Sequence, residues 1–532
     1  MGVTRMESTS VLVVGGGLVG LSAVVFLSWC GVPAMVVERH AASSPHPRAV
    51  GYTPRTMELF RAVGLGSHVP QVPPGSQLRR ARVHSLAGQW FEESSWTPQS
   101  SDRPRIEYSP HTGAAIAQDR LEPILRDKAV ELGADIRFGT ELLSWHQDGE
   151  GVLAVLRTRD GVEHAVRSDY LIAADGNRSP IREALGVGRT GRGHLSTSRS
   201  VLFKAPLEEY LQEGVRQFEI DQPGLQAFLT TYGDGRWVLI FADDQERDQD
   251  TLRTMVFQAI GRTDLEIELV NTGRWELSAL VADRFASGRV FLAGDAAHTL
   301  PPSRGGYGAN TGIDDVHNLA WKLSSVLSGE STPQLLDTYD AERRPIAWLR
   351  HQQIFARADY RRHAGASTDD IPIIDDDAME FGQLYRSAAV LTAGDELPPA
   401  ARPEQWAGQP GTRAPHLWLS RDGERLSTLD LFQRGWVLLA ENDHWAAAAE
   451  QAAEWTGVTV DCQRIGGRLQ PHEPEEFLRA FGLSQDGATL VRPDGYIAWR
   501  SRDLPAQPAE TLTVALGQVA FATHHVTAGR TV

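Results

Sequence analysis

The sequence predicts an α/β protein. A nucleotide-binding domain built from β-α-β units carries an inserted antiparallel β-sheet, and a second, smaller α/β unit follows. Three observations lead there. Near the N-terminus an apolar strand runs into glycines spaced G-x-G-x-x-G and straight on into an apolar helix. Residues 190–283 hold β-like segments such as 226–232 and 236–241, separated by turn signals such as Gly233-Asp234-Gly235. From Ala414 strand-like and helix-like segments alternate again, after the linker-like stretch Gly408-Gln409-Pro410-Gly411.

The opening motif has a part for each step of dinucleotide binding. Val11-Leu12-Val13-Val14 leads into Gly15-Gly16-Gly17-Leu18-Val19-Gly20, and Leu21, Val24, Val25 and Leu27 give the helix its apolar face. The next run, Ala34-Met35-Val36-Val37, ends at Glu38. Gly15 permits a tight turn, Gly17 lets the backbone approach a pyrophosphate, and Gly20 lets the helix pack close to the strand. The helix start offers N–H groups to phosphate, and Glu38 can accept a ribose hydroxyl. The motif alone leaves FAD and NAD open, with an ordinary glycine-rich βα turn as the plain alternative.

Bulk properties narrow the class. The chain has 532 residues, room for two to four domains, with 41% apolar and 23% charged residues as in a soluble globular protein. It contains no run of about 18 apolar residues, so no transmembrane helix is expected. Gly15 to Gly17 interrupt the N-terminal apolar stretch, which argues against a signal peptide. A net charge of -16 argues against nucleic-acid and anionic-membrane partners. The two cysteines, Cys30 on the first helix and Cys462, exclude a disulfide framework, a C-x-x-C pair and a cysteine metal site, and no other metal site is expected. The expected compartment is the cytoplasm.

Taken in order, the polar loop 41–47 precedes Arg48, which sits where the chain returns toward the nucleotide; a solvated loop arginine is the plain alternative. Thr53 reads as the N-cap and Pro54 as the first residue of a helix. Residues 70–104 suggest a small β-excursion, Gln118 starts a helix, 133–138 a strand, and Asp160-Gly161 a hairpin turn. A buried strand, Tyr170-Leu171-Ile172-Ala173-Ala174, then delivers Asp175-Gly176 before a short helix at about 181–185. An acid there is either a ligand contact or a plain helix cap. A helix at about 249–261 crosses the β-rich segment. Gly288-Arg289-Val290-Phe291-Leu292-Ala293-Gly294-Asp295 is a further strand delivering an acid; Pro301-Pro302 makes a corner, and Gly308-Ala309-Asn310-Thr311-Gly312 opens a long helix. Such a helix start can offer N–H groups to developing negative charge. Glu342-Arg343-Arg344-Pro345 marks a helix boundary, and the chain ends in a Pro493-Asp494-Gly495 hairpin and a helix over 507–522.

These motifs, in this order, resemble the class A flavoprotein aromatic hydroxylases, the para-hydroxybenzoate and phenol hydroxylase group. The tail, with Thr412-Arg413-Ala414-Pro415-His416 and Leu429-Asp430-Leu431-Phe432, looks like the thioredoxin-like C-terminal domain of the phenol and polyketide hydroxylases, most similar to those acting on natural products. The resemblance implies a Rossmann-type FAD-binding domain (1–80, 105–188 and 284–365), a substrate-binding β-sheet domain (81–104 and 189–283), a helical or linker segment (366–411) and a thioredoxin-like domain (412–532). Gly15, Gly17, Leu18, Val19 and Gly20 would wrap the FAD pyrophosphate, Glu38 would hold the ribose, and Arg39 and the Leu143 backbone would lie by adenine. Arg48 and Gln118 would reach the phosphate and ribityl regions. Asp175 lies in a motif tied to both FAD and NAD(P)H. Asp295 would bind ribityl or phosphate-side groups, Pro302 would pack near the flavin, and Gly308, Ala309, Asn310 and Thr311 would face its pyrimidine edge.

The same resemblance implies the reaction. NADPH or NADH, bound transiently at the surface, reduces FAD. O2 adds at flavin C4a, and the hydroperoxide transfers OH to a phenolic or polycyclic, polyketide-like small molecule. His194, Arg199, Tyr232 and Trp237 lie in or near the insert, but sheet-face or loop roles are their plainer reading, and no catalytic base is assigned. Epoxidation or Baeyer–Villiger oxidation, inactivation of an antibiotic, and a flavin-binding protein without turnover are the alternatives. A monomer or small homo-oligomer fits the acidic composition.

Overall fold

The computed structural model describes residues 6–44, 46, 49–74, 79–95, 106–211, 215–302, 306–357, 371–432 and 434–524. The chain opens with β1 (Met6–Val14), α1 (Leu18–Trp29) and β2 (Ala34–Glu38). Helix α1 is apolar almost all round because the sheet, α6 and α3 cover it on several sides. Cys30, expected on this helix, is instead its half-buried C-cap; the chain turns at Gly31, whose φ of +77° ends the helix. Next come β3 (Gly51–Tyr52) and α2 (Pro54–Ala62), where the Thr53 side chain accepts from the Thr56 N–H. Strands β4 (Arg79–Val83) and β5 (Trp90–Ser95) form a hairpin; β6 (Ala114–Ala115) and α3 (Gln118–Glu131) follow.

β7 (Asp135–Phe138), β8 (Thr140–Gln147), β9 (Val152–Thr158), β10 (Glu163–Ala173) and α4 (Pro180–Ala184) complete the first half. Then come β11 (Arg189–Lys204), β12 (Val215–Gln222), β13 (Leu225–Thr231), β14 (Arg236–Phe241), α5 (Gln249–Ile260) and β15 (Glu268–Ala282). The chain returns through β16 (Ala286–Ser287), β17 (Val290–Leu292) and β18 (His298–Thr299) to α6 (Tyr307–Leu327) and α7 (Asp337–Ala356).

Two large sheets result. The first has the order β16-β17-β10-β1-β2-β7, parallel from β17 to β7, with β9 and β8 added antiparallel beside β10. The C-terminal ends of β1 and β10, and β2 up to Glu38, are continuous buried apolar runs, as in a sheet covered on both faces. The second has the order β18-β15-β11-β14-β13-β12-β4-β5. It is antiparallel except for the β12–β4 pair, because β4 comes from an earlier part of the chain. At its other edge β15 pairs with β18, so this sheet is hydrogen-bonded to the segment between Asp295 and Pro302.

After α8 (Asp376–Phe381) and α9 (Pro403–Trp406), β19 (Trp418–Arg421) and β20 (Glu424–Ser427) form a hairpin. β21 (Trp436–Ala440), α10 (His444–Thr456), β22 (Val460–Arg464), β23 (Leu469–Pro471), α11 (Pro474–Phe481), β24 (Ala488–Val491), β25 (Ile497–Ser501) and α12 (Pro508–Val519) follow. The sheet order β22-β21-β24-β25, with one parallel pair and two antiparallel ones, is thioredoxin-like.

Two expectations are corrected. Pro345 marks no boundary: it lies inside α7, whose burial from Tyr339 to Ala356 outweighs the lost backbone bond, a cost of about 3 kcal/mol. Gly408 to Gly411 is no free linker either. The Gly411 N–H donates to the Ile497 carbonyl and its carbonyl accepts from Tyr385, so the crossing is woven into the C-terminal unit.

Candidate active site

The glycine turn is closed by the Gly15 N–H donating to the Val37 carbonyl at 2.8 Å. Gly15 has φ +107°, and a Cβ there would lie 2.2 Å from the Ala174 carbonyl oxygen. A Cβ on Gly20 would lie 1.8 Å from the Gly15 carbonyl oxygen. Gly17 is the extended N-cap of α1 and makes no side-chain cap, and no acid lies in the first turn, so the amides at Leu18, Val19 and Gly20 carry the positive end of the helix dipole.

Glu38 sits at the lip of this turn. Its carboxylate accepts from the Gly16 N–H at 2.8 Å and from the His40 N–H at 2.9 Å. Arg39 is exposed beside it, and Arg48 lies outside the described residues. Gln118 bridges two segments: its Oε1 accepts from the Ala49 N–H at 3.3 Å, and its Nε2 donates to Glu122 at 2.7 Å. Glu122 is a residue the sequence reading missed. It is 3% exposed, burial raises its carboxyl pKa, and its Oε1 lies 3.8 Å from where a Cβ on Gly17 would sit. Its position four residues after Gln118 on one helix face was the available signal.

Leu143 falls in a β-bulge between Leu142 and Ser144, outside the β8–β9 ladder, so its backbone is off the register of that pair. Asp175 has two different oxygens. Oδ2 accepts from the Ile181 N–H at 3.3 Å, while Oδ1 is buried without a hydrogen-bond partner, and burial raises the pKa of the group. The dedicated N-cap of α4 is Ser179, which accepts from Arg182.

Asp295 projects as an exposed side chain from the 3-10 turn Gly294–Ala296, whose other residues are buried. Pro302 is exposed and Pro301 buried. Helix α6 starts at Gly306, φ +57°, with no capping side chain. The loop before it, Ser303 to Gly305, lies outside the described residues. Gly308 and Ala309 are half-buried. The Asn310 and Thr311 side chains are committed to the scaffold. Asn310 Oδ1 accepts from the Thr53 N–H and the Thr56 hydroxyl, and the Thr311 hydroxyl donates to the Tyr307 carbonyl. Both residues are buried, and the Thr311 carbonyl accepts from Arg343 Nη2 at 3.2 Å.

The motifs converge on Val19. A Cβ on Gly294 would lie 2.8 Å, and one on Gly312 2.6 Å, from Val19 Cγ2. Glycine at both positions lets the strand-end acid Asp295 and the start of α6 close on the glycine turn. Asp315 locks this joint: its Oδ2 accepts from the Gly294 N–H and contacts His298 Nε2 at 2.7 Å, while Arg343 Nε donates to Oδ1 at 2.8 Å.

The side chains of the insert take structural roles. Trp237 is 1% exposed in the sheet core, Arg199 pairs with Asp244 and Glu246, and His194 contacts Thr197. Arg236 stacks over Tyr232 and donates to Asp119 on α3 at 2.7 Å, tying the sheet to the first domain.

Two uncapped helix starts, the unpartnered buried Asp175 oxygen and glycines that clear the space between strand ends fit an extended dinucleotide. The fold and site thus define a dinucleotide-binding α/β protein. Comparison with known proteins gives the family. The family described as FAD binding domain matches residues 8–353, and the aromatic-ring hydroxylase C-terminal family matches 407–520. A 4-methyl-5-nitrocatechol 5-monooxygenase of Burkholderia sp is 41% identical, covering 96% of this chain and 97% of that protein. A tetracenomycin A2 monooxygenase-dioxygenase of Streptomyces glaucescens is 40% identical over 96% of this chain and 97% of its own length. The crystal structure of an aklavinone-11 hydroxylase with FAD and aklavinone superposes with a TM-score of 0.86 at 37% identity, covering 97% of this chain and all of that one, 100%. The chain belongs to the FAD-dependent aromatic-ring hydroxylases, and it is a flavoprotein monooxygenase. Among the described residues no helix is long and apolar enough to cross a membrane.

Proposed function

We propose that the enzyme uses NADPH or NADH and O2 to hydroxylate a flat aromatic small molecule, phenolic or polycyclic and polyketide-like. The observation that carries the reading is the β15–β18 ladder, which joins the large antiparallel sheet to the segment running from Asp295 to Pro302. Beside that seam Ala279, Leu300, Tyr307, Leu349, Phe355 and Met379 form one buried apolar cluster, which would back a ring system bound at the seam and help keep water from it. The relatives named above act on a nitrocatechol and on tetracenomycin A2, both aromatic.

The cofactor contacts are proposed as follows. Gly15, Gly17, Leu18, Val19 and Gly20 hold the pyrophosphate through backbone amides; Glu38 takes the ribose, with Arg39 and the Leu143 backbone by adenine. Arg48, Gln118 and Asp295 serve the phosphate and ribityl portions, and Asp175 belongs to a motif tied to both FAD and NAD(P)H. Pro302 and the backbone of Gly308, Ala309, Asn310 and Thr311 face the flavin ring. FAD, when bound, would take two electrons from NADPH or NADH and pass them to O2. The chain positions the aromatic carbon, excludes water and holds protons; burial pushes the Tyr307 phenol up to about 12, so it stays protonated. The domain boundaries proposed are 1–80, 105–188 and 284–365 for the cofactor, 81–104 and 189–283 for the substrate, 366–411 as a connector and 412–532 as the terminal unit. Two unpaired thiols, Cys30 and Cys462, support a cytoplasmic enzyme, taken as a monomer or small homo-oligomer.

The test is anaerobic stopped-flow absorbance with NADPH or NADH and a panel running from catechols to tetracyclic phenols. Flavin bleaching that accelerates strongly with one aromatic compound, followed by an oxygenated product in air, is expected. Flavin that is never reduced, with or without any aromatic, sinks the reading.

A further inference from the structure

The C-terminal unit holds no thiol pair, and no site residue named above comes from it. We propose that it positions the flavin-facing end of α6, with Arg413 as the positioning residue. This rests on the placement of the first turn of α6 against the flavin.

Arg413 is 4% exposed and crosses from the C-terminal unit into the first domain. Its Nη2 and Nε donate to the two oxygens of Glu58 on α2 at 2.5 and 3.0 Å, and Nη2 also donates to the Tyr108 carbonyl at 2.8 Å. Arg55 Nη1 donates to the same carboxylate at 3.0 Å. Two guanidiniums hold the Glu58 carboxyl below its usual range in spite of burial. The fork geometry fixes orientation as well as charge, which an ammonium cannot do.

Half a turn before Glu58, α2 grips α6. The Thr53 N–H and the Thr56 hydroxyl donate to Asn310 Oδ1 at 3.1 and 2.6 Å. Asn310 Nδ2 returns to the Gly306 carbonyl at 2.7 Å, which fixes the N-cap of α6. A second tie holds the same helix further along. Arg492 donates to both oxygens of Glu342 at 2.6 and 2.9 Å, and Glu342 accepts from Asn318 and Lys322 of α6, each at 2.8 Å. Asp494 accepts from Asn318 at 3.2 Å. The C-terminal unit therefore grips the middle of α6 at Asn318 and Lys322, and its start through α2. Backbone amides that meet a ligand need placement within about 0.5 Å, and Arg413 is the outermost brace of that start.

The test uses the full-length holoenzyme and its reconstituted apoprotein. Arg413→Lys keeps the charge and loses the fork; Trp445→Phe lowers stability in the C-terminal core, where Trp445 packs on Trp499 and donates to the Asp486 carbonyl. Titrating apoprotein with FAD by flavin fluorescence, we expect Arg413→Lys to weaken binding by about tenfold and to shift the flavin absorption bands. Trp445→Phe lowers the thermal midpoint and leaves both unchanged. Thr56→Val mimics Arg413→Lys, and the double variant is no worse than either alone. Wild-type FAD affinity and spectrum in Arg413→Lys, or losses that merely follow thermal stability across all variants, overturn the proposal. Gly308→Val tests the underlying placement separately. A Cβ there would sit 3.5 Å from the Leu300 carbonyl oxygen, an ordinary contact. Unchanged FAD binding in that variant overturns the placement of α6, whereas loss there with wild-type binding in Arg413→Lys overturns the role of Arg413 alone.

Discussion

The cofactor half and the C-terminal junction solve one problem, holding α6 in place, with opposite materials. Around Val19 the joint is made by the absence of side chains: Gly15, Gly20, Gly294 and Gly312 let backbone approach backbone or Val19. Around Glu342 and Glu58 it is made by buried charges, with Lys322, Arg492 and Arg413 essentially enclosed. A glycine contact tolerates no added atom. A buried ion pair tolerates change if both partners go, but not if one is left alone. The first kind is specified within a few residues of chain; the second brings together positions such as 58 and 413 that no local pattern connects.

The comparison breaks first at Gly20. Gly20→Ala would put a methyl 1.8 Å from the Gly15 carbonyl oxygen, so loss of FAD binding altogether is expected; a yellow holoenzyme with this substitution would show that the glycine joint is adaptable. Glu342→Gln should come next. It leaves Lys322 without its carboxylate and Arg492 with Asp494 alone, with an expected loss of about 3–5 kcal/mol in denaturant unfolding. A loss below about 1 kcal/mol would mean the charged joint carries little of the stability.

Two smaller effects concern pH. Burial raises the Glu380 carboxyl from 4.5 to about 7. Between these values the folded state binds more protons than the unfolded chain, so this group makes stability fall as pH rises through that window. Glu380 keeps some exposed surface, which discounts the effect to about 1–3 kcal/mol. Glu380→Gln should flatten that part of the profile; an unchanged slope between pH 5 and about 8 would refute the assignment. His351 has the opposite sign. Burial lowers it from 6.5 to about 4, so its contribution is complete above 6.5 and is lost as pH falls toward 4. His351→Phe keeps ring packing against Trp348 and Phe355 and should make the protein more acid-resistant by about 1–2 kcal/mol near pH 4, as measured by urea unfolding.

Much of the fold was legible because its signals are short-range. The β1-turn-α1 unit, the Thr53 cap on α2 and the α5 helix over 249–260 follow from period, caps and glycines within one element. Pro345 was misread for the converse reason: its local preference is to end a helix, and packing along α7 overrides it. Gly408 to Gly411 read as a linker because its composition is that of one, yet its backbone is paired to Tyr385 and Ile497, which are distant in sequence. Glu122 was missed since a buried acid beside the glycine turn looks, in sequence, like any helical glutamate.

The sequence by itself determined the dinucleotide turn, the acids at strand ends and the family to which the chain belongs, because each is written in contiguous residues whose backbone demands allow few substitutes. The tertiary structure alone decided that Gly294 and Gly312 both close on Val19, that β18 stitches the antiparallel sheet to the cofactor segment, and that Arg413 and Arg492 reach across to α2 and α7. Those are contacts between residues tens to hundreds of positions apart. Charge and burial set their worth, and neither is defined until the chain has folded.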